Sequence, residues 1–476
     1  MHSRLSRMSM PLSIGMGCLF ALYLVIFRPG NLTSAEDLGI LIFLQLLVAV
    51  LWKFQQRFFP FLVLIFVAAS TTLPLQSARW FILGVGALAG CSICLKDRTH
   101  SIRVFHVVAF VCVLTALASA TAPANPRQAL LKALSLLLLF LYGSFGARLA
   151  AAGRERQFWA GLLFGCEVMV YLLAASYFIF RVEFLGNPNS LGLVTGVVAM
   201  PVLLWGVLVG DRVLVRRRRI FAFLLALLLL LSSYSRASIA AAALSCVLLC
   251  VVLRRYSLLM KGCVAAVLAA VLVATIAPPQ SETSGSETSG SIASAFLYKG
   301  HQGTGLLDSR KSVWETTFST IQEHPWLGTG FGTIGSSFDT GEVSGKFASN
   351  SLITREHGNS YLAIIEGVGW LGAVPFLILV LLVAINAIRV LVWTRNARDP
   401  LSLALPIAIV IVAGLVHAGF EDWLFAVGNY LCVFFWSLAF ILGDLLPAKE
   451  PYRAYSITLP DSPSRMDSLG VVPSAR

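Results

Sequence analysis

The chain has 476 residues, of which 57% are hydrophobic and only 12% charged, and its mean hydropathy of +0.81 lies far from that of a soluble domain. Apolar runs of the ~20 residues that a bilayer-crossing helix needs recur along nearly the whole sequence, continuous and without period-two alternation. That excludes a transmembrane β-barrel and predicts an all-α, polytopic integral membrane protein.

The first run, Pro11 to Phe27, follows Arg4 and Arg7 but no small-residue cleavage site follows it, so it reads as a first transmembrane helix and not a signal peptide. About 12–14 spans are expected, centred near residues 19, 45, 66, 88, 112, 139, 169, 200, 225, 245, 268, 376, 411 and 435. The basic residues alternate between the intervening loops, as the positive-inside bias requires with the N-terminus inside. Lys53 and Arg57, Lys96 to Arg103, Arg148 to Arg156, Arg212 to Arg219, Arg254 to Lys261 and Arg389 to Arg398 fall on one side; Arg28, Arg79, Arg127 and Arg181 are nearly all the other side holds. The net charge of +13 therefore reports topology and attraction to anionic lipid, not a nucleic-acid footprint. The nine cysteines lie in apolar runs, "CSIC" at Cys91 included, and imply buried small hydrophobes with no disulfide framework.

These patterns divide the chain into an N-terminal helix bundle (1–277), one large extracytoplasmic loop (278–359), C-terminal helices (360–446) and a disordered cytoplasmic tail (447–476). The loop is where function is expected, because connections this long are usually functional or disordered. It opens on a direct repeat, "SETSGSETSG", that reads as a flexible linker. In "LLDSRKSVWETTFSTIQEHPWLGTGFGTIG", Asp308 or Ser309 can cap a helix whose Val313, Trp314, Phe318 and Ile321 share an apolar face; Pro325 ends it, and Gly328, Gly330 and Gly332 allow close backbone approach. Such a helix lies along the membrane surface with Arg310 at its start. Spacing alone is equally met by an interfacial helix that merely shields the bundle.

Three further positions stand out. Arg236, in "LLLLLSSYSRASIAAAAL", sits at the outer end of a helical hairpin, where it either snorkels to headgroups or grips a phosphate bidentately. Glu167, within "LLFGCEVMVYLL", is an intramembrane carboxylate, either a structural counter-ion or part of a pathway. Asn187-Pro188-Asn189 in "EFLGNPNSLGLV" is turn chemistry before a span. There is no Walker loop, dinucleotide fingerprint or Asp-x-Asp, and His301 and His324 lack partners at metal-ligand spacing, so no metal and no cofactor is expected.

Taken together, "GNPNSLGL", "SYSRASIAA", "DSRKSVWETTFSTIQEHPWLGTGFG" and "HGNSYLAIIEGVGWLG", in that order over roughly the second half of the chain, resemble the O-antigen ligase and polymerase superfamily of bacterial inner-membrane enzymes. The resemblance implies a GT-C-like bundle and, at the periplasmic face, metal-independent transfer of a glycan from an undecaprenyl (polyprenyl) diphosphate donor to a sugar hydroxyl of lipid A core or another glycan. Ligation and polymerisation of repeat units both fit; a transporter of lipid-linked sugars is the alternative from another class, with Glu167 as its midplane residue. By motif match, Arg236 and Arg310 would bind the diphosphate and stabilise the leaving charge, with Asn187 and Asn359 as substrate contacts. The family's histidine, which directly precedes an Asn, would be the general base. Here Gly358 precedes Asn359 and the histidine stands one residue earlier, so His357 is expected as base, with Glu356 as a fallback base or orienter; in a regular helix that shift would turn the ring by about 100°.

Overall fold

The computed structural model describes residues 83–88, 90–91, 103–121, 126–152, 155–181, 188–210, 213–264, 308–333, 357–397, 402–427 and 429–446. Among them all regular structure is helical. Chain order gives α1 (Val104–Ser119), α2 (Pro126–Leu141, prolonged by a π-helical segment Tyr142–Ala147 and a last turn Arg148–Ala151), α3 (Glu155–Ala174) and α4 (Asn189–Val209, with a π-helical segment Val194–Ala199). There follow α5 (Val213–Ser232), α6 (Arg236–Val252), α7 (Asp308–Glu323), α8 (Ser360–Ala397), α9 (Ala404–Ala418) and α10 (Tyr430–Leu445). Pro126–Ala147, Glu155–Ile179, Asn189–Val209 and Ser360–Ala397 are long and apolar enough to cross a membrane, and α1, α6, α9 and Leu431–Leu445 are shorter apolar helices. The expected centres from 112 to 245 and from 376 to 435 each fall in one of these helices, and the one near 88 meets helical residues 83–88; those near 19, 45, 66 and 268 lie outside the described residues.

The candidate spans are apolar on most faces, and small residues contribute much of what turns inward. On α5, Ala222, Ala226, Leu229 and Leu230 are buried while Leu224, Leu228 and Leu231 are exposed; on α2, Ala129, Ala133 and Leu136 are buried while Leu130, Leu131 and Leu134 face outward. Small residues let backbones approach inside the bundle, and the exposed leucines form a surface suited to lipid. The centre is aromatic: Phe376 of α8, Phe425 of the turn after α9, and Trp436 and Phe435 of α10 meet edge to face or tilted, with ring centroids 5.0–5.4 Å apart.

Charges inside the bundle are paired. Glu167, with its side chain 3% exposed, accepts from Arg218 at 2.6 Å and lies 3.4 Å from Arg219, whose Nη1 also donates to the Gly206 carbonyl. Of the two readings of Glu167, the structure favours the counter-ion: Arg219 of "RRRR" is drawn partly into the bundle, while Arg218 reaches the carboxylate from a side chain that stays 53% exposed. At the same end, buried Arg148 grips Asp444 with two bonds of 2.6 Å.

α8 is two helices in one. At Gly369 the backbone turns to φ 69°, ψ 176°, which frees carbonyls on one side of the break and an N–H on the other. The chain following α7 takes up these groups: the amides of Thr329 and Gly330 donate to the carbonyls of Glu366 and Gly367 at 2.9 Å, and Trp370 N–H donates to Pro325 at 2.8 Å. Phe331 N–H reaches Ser119 of α1 at 3.0 Å, and its ring stacks on Phe376. A Cβ at Gly369 would meet the Trp326 carbonyl oxygen at 2.2 Å, and one at Gly328 (φ +68°) the Glu366 oxygen at 2.5 Å, so only glycines permit the crossing. Gly369→Ala is therefore expected to cost on the order of 1–3 kcal/mol in backbone strain alone. In detergent its melting midpoint should fall and protease should cut residues 325–333 sooner; an unchanged midpoint and cleavage pattern would show that the crossing carries no stability.

Candidate functional site

Residues 357–359 are irregular chain, with Gly358 at φ +62°, and α8 begins only at Ser360. The 100° rotation expected of a regular helix therefore does not apply to His357. Asn359 is the N-cap: its Oδ1 accepts from the amides of Tyr361 at 2.9 Å and Leu362 at 3.3 Å. Ser360 then ties α8 to the turn after α9, donating to the Glu421 carbonyl at 2.6 Å and accepting from the amides of Trp423 and Leu424 at 3.0 and 3.1 Å. Tyr361 OH adds a bond to Leu415 O at 2.7 Å. These backbone contacts present two carboxylates, Glu421 and Asp422, to the start of α8.

His357 lies between carboxylates. Its Nδ1 is 2.7 Å from Asp422 Oδ2 and its Nε2 3.4 Å from Glu366 Oε2, with Glu366 only 1% exposed. Burial pulls the imidazole pKa down, but hydrogen bonds and charge attraction from Asp422 and Glu366 outweigh it and raise the pKa to about 9. At neutral pH the ring is thus an imidazolium that donates from Nδ1 to Asp422 and turns Nε2 toward Glu366.

Arg310, in the first turn of α7, comes to the same place. Its Nη2 donates to Glu421, its side chain is 20% exposed, and its Nη1 lies 2.6 Å from where a Cβ on Gly358 would stand. Trp314, one turn on, directs Nε1 at the Gly358 carbonyl 3.4 Å away. α7 therefore brings Trp314 and its arginine to the α8 entry; of its expected apolar face Ile321 is buried but Phe318 is exposed, and Thr317 and Thr320 are buried beside it. Asn189 of α4 places Nδ2 3.5 Å from Glu421 Oε1, so the second asparagine of "NPN" reaches the cluster.

Arg236 is half-buried at the first position of α6, after the tight turn that ends α5, which confirms the hairpin. Its neighbours form a buried polar knot: Ser235 Oγ and Ser238 Oγ are 2.8 Å apart, and Ser238 Oγ is 3.0 Å from His417 Nε2. Trp423 Nε1 donates to His417 Nδ1 at 3.1 Å, which leaves Nε2–H to face the serine. A Cβ on Gly192 would lie 2.6 Å from Ser233 Oγ, so "GNPNSLGL" and "SYSRAS" interlock. Arg236 thus stands at the bundle end shared by the His357 cluster, connected to it through α9 and its turn.

Of the sequence-derived residues, the structure brings His357 and Arg310 together, sets Arg236 at the same end and gives Asn359 a capping role; Asn187 and Glu356 lie outside the described residues. It adds Asp422, Glu366, Glu421 and Asn189. Glu366 carried a usable signal, an acid within the apolar run "YLAIIEGVGWLG". Asp422 and Glu421 occupy an ordinary turn between spans and carried none.

Residues 221–377 match the family model Wzy_C, described as O-Antigen ligase. The match runs from α5 into α8 and contains Arg236, Arg310, His357 and Glu366, whereas Asn189, Glu421 and Asp422 lie outside it. No curated protein matches the chain.

A histidine whose pKa is raised on folding from 6.5 to about 9 contributes stability that is fully present below pH 6.5 and lost as pH rises through 9. The melting midpoint of the detergent-solubilised protein should accordingly fall between pH 7 and about 9.5. His357→Gln should flatten that part of the curve; parallel curves for the two proteins would contradict the clamped imidazolium.

Proposed function

We infer that this multi-pass membrane protein, which carries an O-antigen ligase domain over residues 221–377, transfers a glycan from an undecaprenyl (polyprenyl) diphosphate carrier to an acceptor sugar hydroxyl at the periplasmic face of the bacterial inner membrane. The observation that carries the reading is the meeting of Arg310 and His357 on the two sides of Gly358, each held by a carboxylate from the same turn. A phosphate-binding cation and a proton-transfer group are thereby fixed at one bundle end, which is what displacement of a diphosphate by a hydroxyl requires.

The donor's polyprenyl chain lies in the bilayer against the apolar helices, and its diphosphate meets Arg310, with Arg236 on the neighbouring α6 as the second cation. Glu421 holds one Nη of Arg310 and leaves other N–H donors of the planar fork for phosphate oxygens. The acceptor oxygen attacks the anomeric carbon as the bond from that carbon to the diphosphate breaks. The leaving diphosphate takes the electron pair and its added charge falls on the guanidinium groups. The hydroxyl proton passes to Nε2 of His357, whose Nδ1 Asp422 orients and whose positive form Asp422 and Glu366 stabilise. No step in this scheme calls for a divalent cation.

The imidazole must first lose the proton it holds at neutral pH, so the transfer rate should rise with pH toward about 9. Asp422→Asn removes a group that raises the pKa: the rising limb should move to lower pH and the maximal rate fall. A profile flat from pH 6 to 9 would transfer the base role to Glu366.

Arg310→Ala, Arg236→Ala and His357→Ala should each cut transfer by about 100-fold or more with normal insertion, the scale on which losing one charge-stabilising donor or general base acts. Chelator should leave the wild-type rate unchanged. Donor supplied separately with lipid A core and with a second repeat unit distinguishes ligation from polymerisation. Release of no diphosphate with either acceptor, alongside movement of the lipid-linked glycan across vesicles, would replace the transferase by a transporter.

A further inference from the structure

At the bundle end opposite His357, where α4, α6 and α8 finish, lies a cavity of about 230 Å³. That is several times the ~30 Å³ share of a single water. Leu208, Val252 and Leu253 form its apolar part; Arg254, Arg255 and Arg395 its polar part, and no acid is among the described residues that line it. Arg254 Nη2 reaches the Arg395 carbonyl at 3.4 Å, joining the ends of α6 and α8. Thr394 also lines the cavity, is 1% exposed, and its Oγ1 has no hydrogen-bond partner among the described residues. A buried hydroxyl left so costs about 1–3 kcal/mol, whereas a bound oxygen acceptor would satisfy it.

We propose that this cavity binds the phosphate of an anionic glycerophospholipid headgroup. The guanidinium groups match phosphate oxygens in geometry and charge, and Thr394, on turning its buried hydroxyl toward the cavity, donates one more bond. The apolar wall decides between sources of phosphate: it suits the glycerol and first acyl carbons of a lipid and offers nothing to the free anion. Arginines that only snorkelled to the membrane surface would involve no buried hydroxyl. The site lies far from the transfer chemistry, since α6 alone separates the two ends by 17 residues, about 25 Å of helix. It is independent of the transferase reading.

The test uses the full-length protein, delipidated in detergent without phosphate buffer, with native mass spectrometry of lipid adducts as readout. Dioleoylphosphatidylglycerol should bind in preference to dioleoylphosphatidylcholine. Thr394→Val keeps charge, shape and topology and should weaken phosphatidylglycerol binding about tenfold, as expected for one hydrogen bond to a charged group. Arg255→Gln should weaken it as well, and neither variant should alter the phosphatidylcholine signal. Equal binding of the two lipids, or unaltered phosphatidylglycerol binding by both variants, would overturn the proposal. Displacement of bound lipid by millimolar inorganic phosphate would assign the cavity to the free anion and overturn the lipid as its occupant.

Discussion

A helix broken inside a membrane bundle has to pass its freed backbone groups to a partner, because lipid supplies none. The break at Gly369 does this with the segment that follows α7, which satisfies Glu366 and Gly367 on one side and is held by Trp370 on the other. Much of the candidate site follows from that exchange. Residues 325–333 are fixed to the bundle, α7 is laid beside the start of α8, and Arg310 is delivered to Gly358. Because α8 is interrupted at Gly369, its first segment is a short rigid platform carrying the Asn359 cap and Glu366 on the His357 side. A continuous helix here would leave the loop without an anchor and the arginine without a fixed position.

The charges obey a division of labour between the two ends. Away from the site, Glu167 is committed to Arg218 and Arg219, and Arg148 to Asp444, pairs that cost desolvation and persist because each charge would be worse alone. Near the site, the carboxylates come from one short turn and serve groups on other elements: Glu421 serves Arg310 and Asp422 serves His357. That arrangement weighs against Glu167 as a carrier in a transport pathway, since its oxygens are already engaged by arginines.

Much of the bundle was legible in the sequence because hydropathy and basic-residue alternation are one-dimensional signals of a one-dimensional constraint, the membrane normal. The hairpin at Arg236 and the helix bearing Arg310 were legible for the same reason, that turn residues and apolar periodicity are local, although Asp308 and Ser309, read as candidate caps, are the first two residues of that helix. What could not be read were the partners. Asp422 meets His357 across 65 residues and Glu421 meets Arg310 across 111, and nothing in "GFEDWL" distinguishes a turn that faces a site from one that faces water. Asn359, expected as a substrate contact, also has a local role: an Asn immediately before a helix can offer its side-chain oxygen to the first amides, and its oxygen is used that way.

The displaced histidine is explained by the same local chemistry. The residue between His357 and Asn359 is a glycine at φ +62°, where a side chain is strained and where Arg310 already occupies the space that a Cβ would need. An extra residue inserted ahead of a helix cap moves the preceding side chain by a turn of irregular chain, which can be bent to suit, and not by a fixed helical rotation. Glycine supplies the bend, Arg310 packs into the room it leaves, and Asp422 and Glu366 receive the imidazole where the bend delivers it. The position of His357 is thus set by its carboxylate partners and by Gly358 more than by its count from the helix.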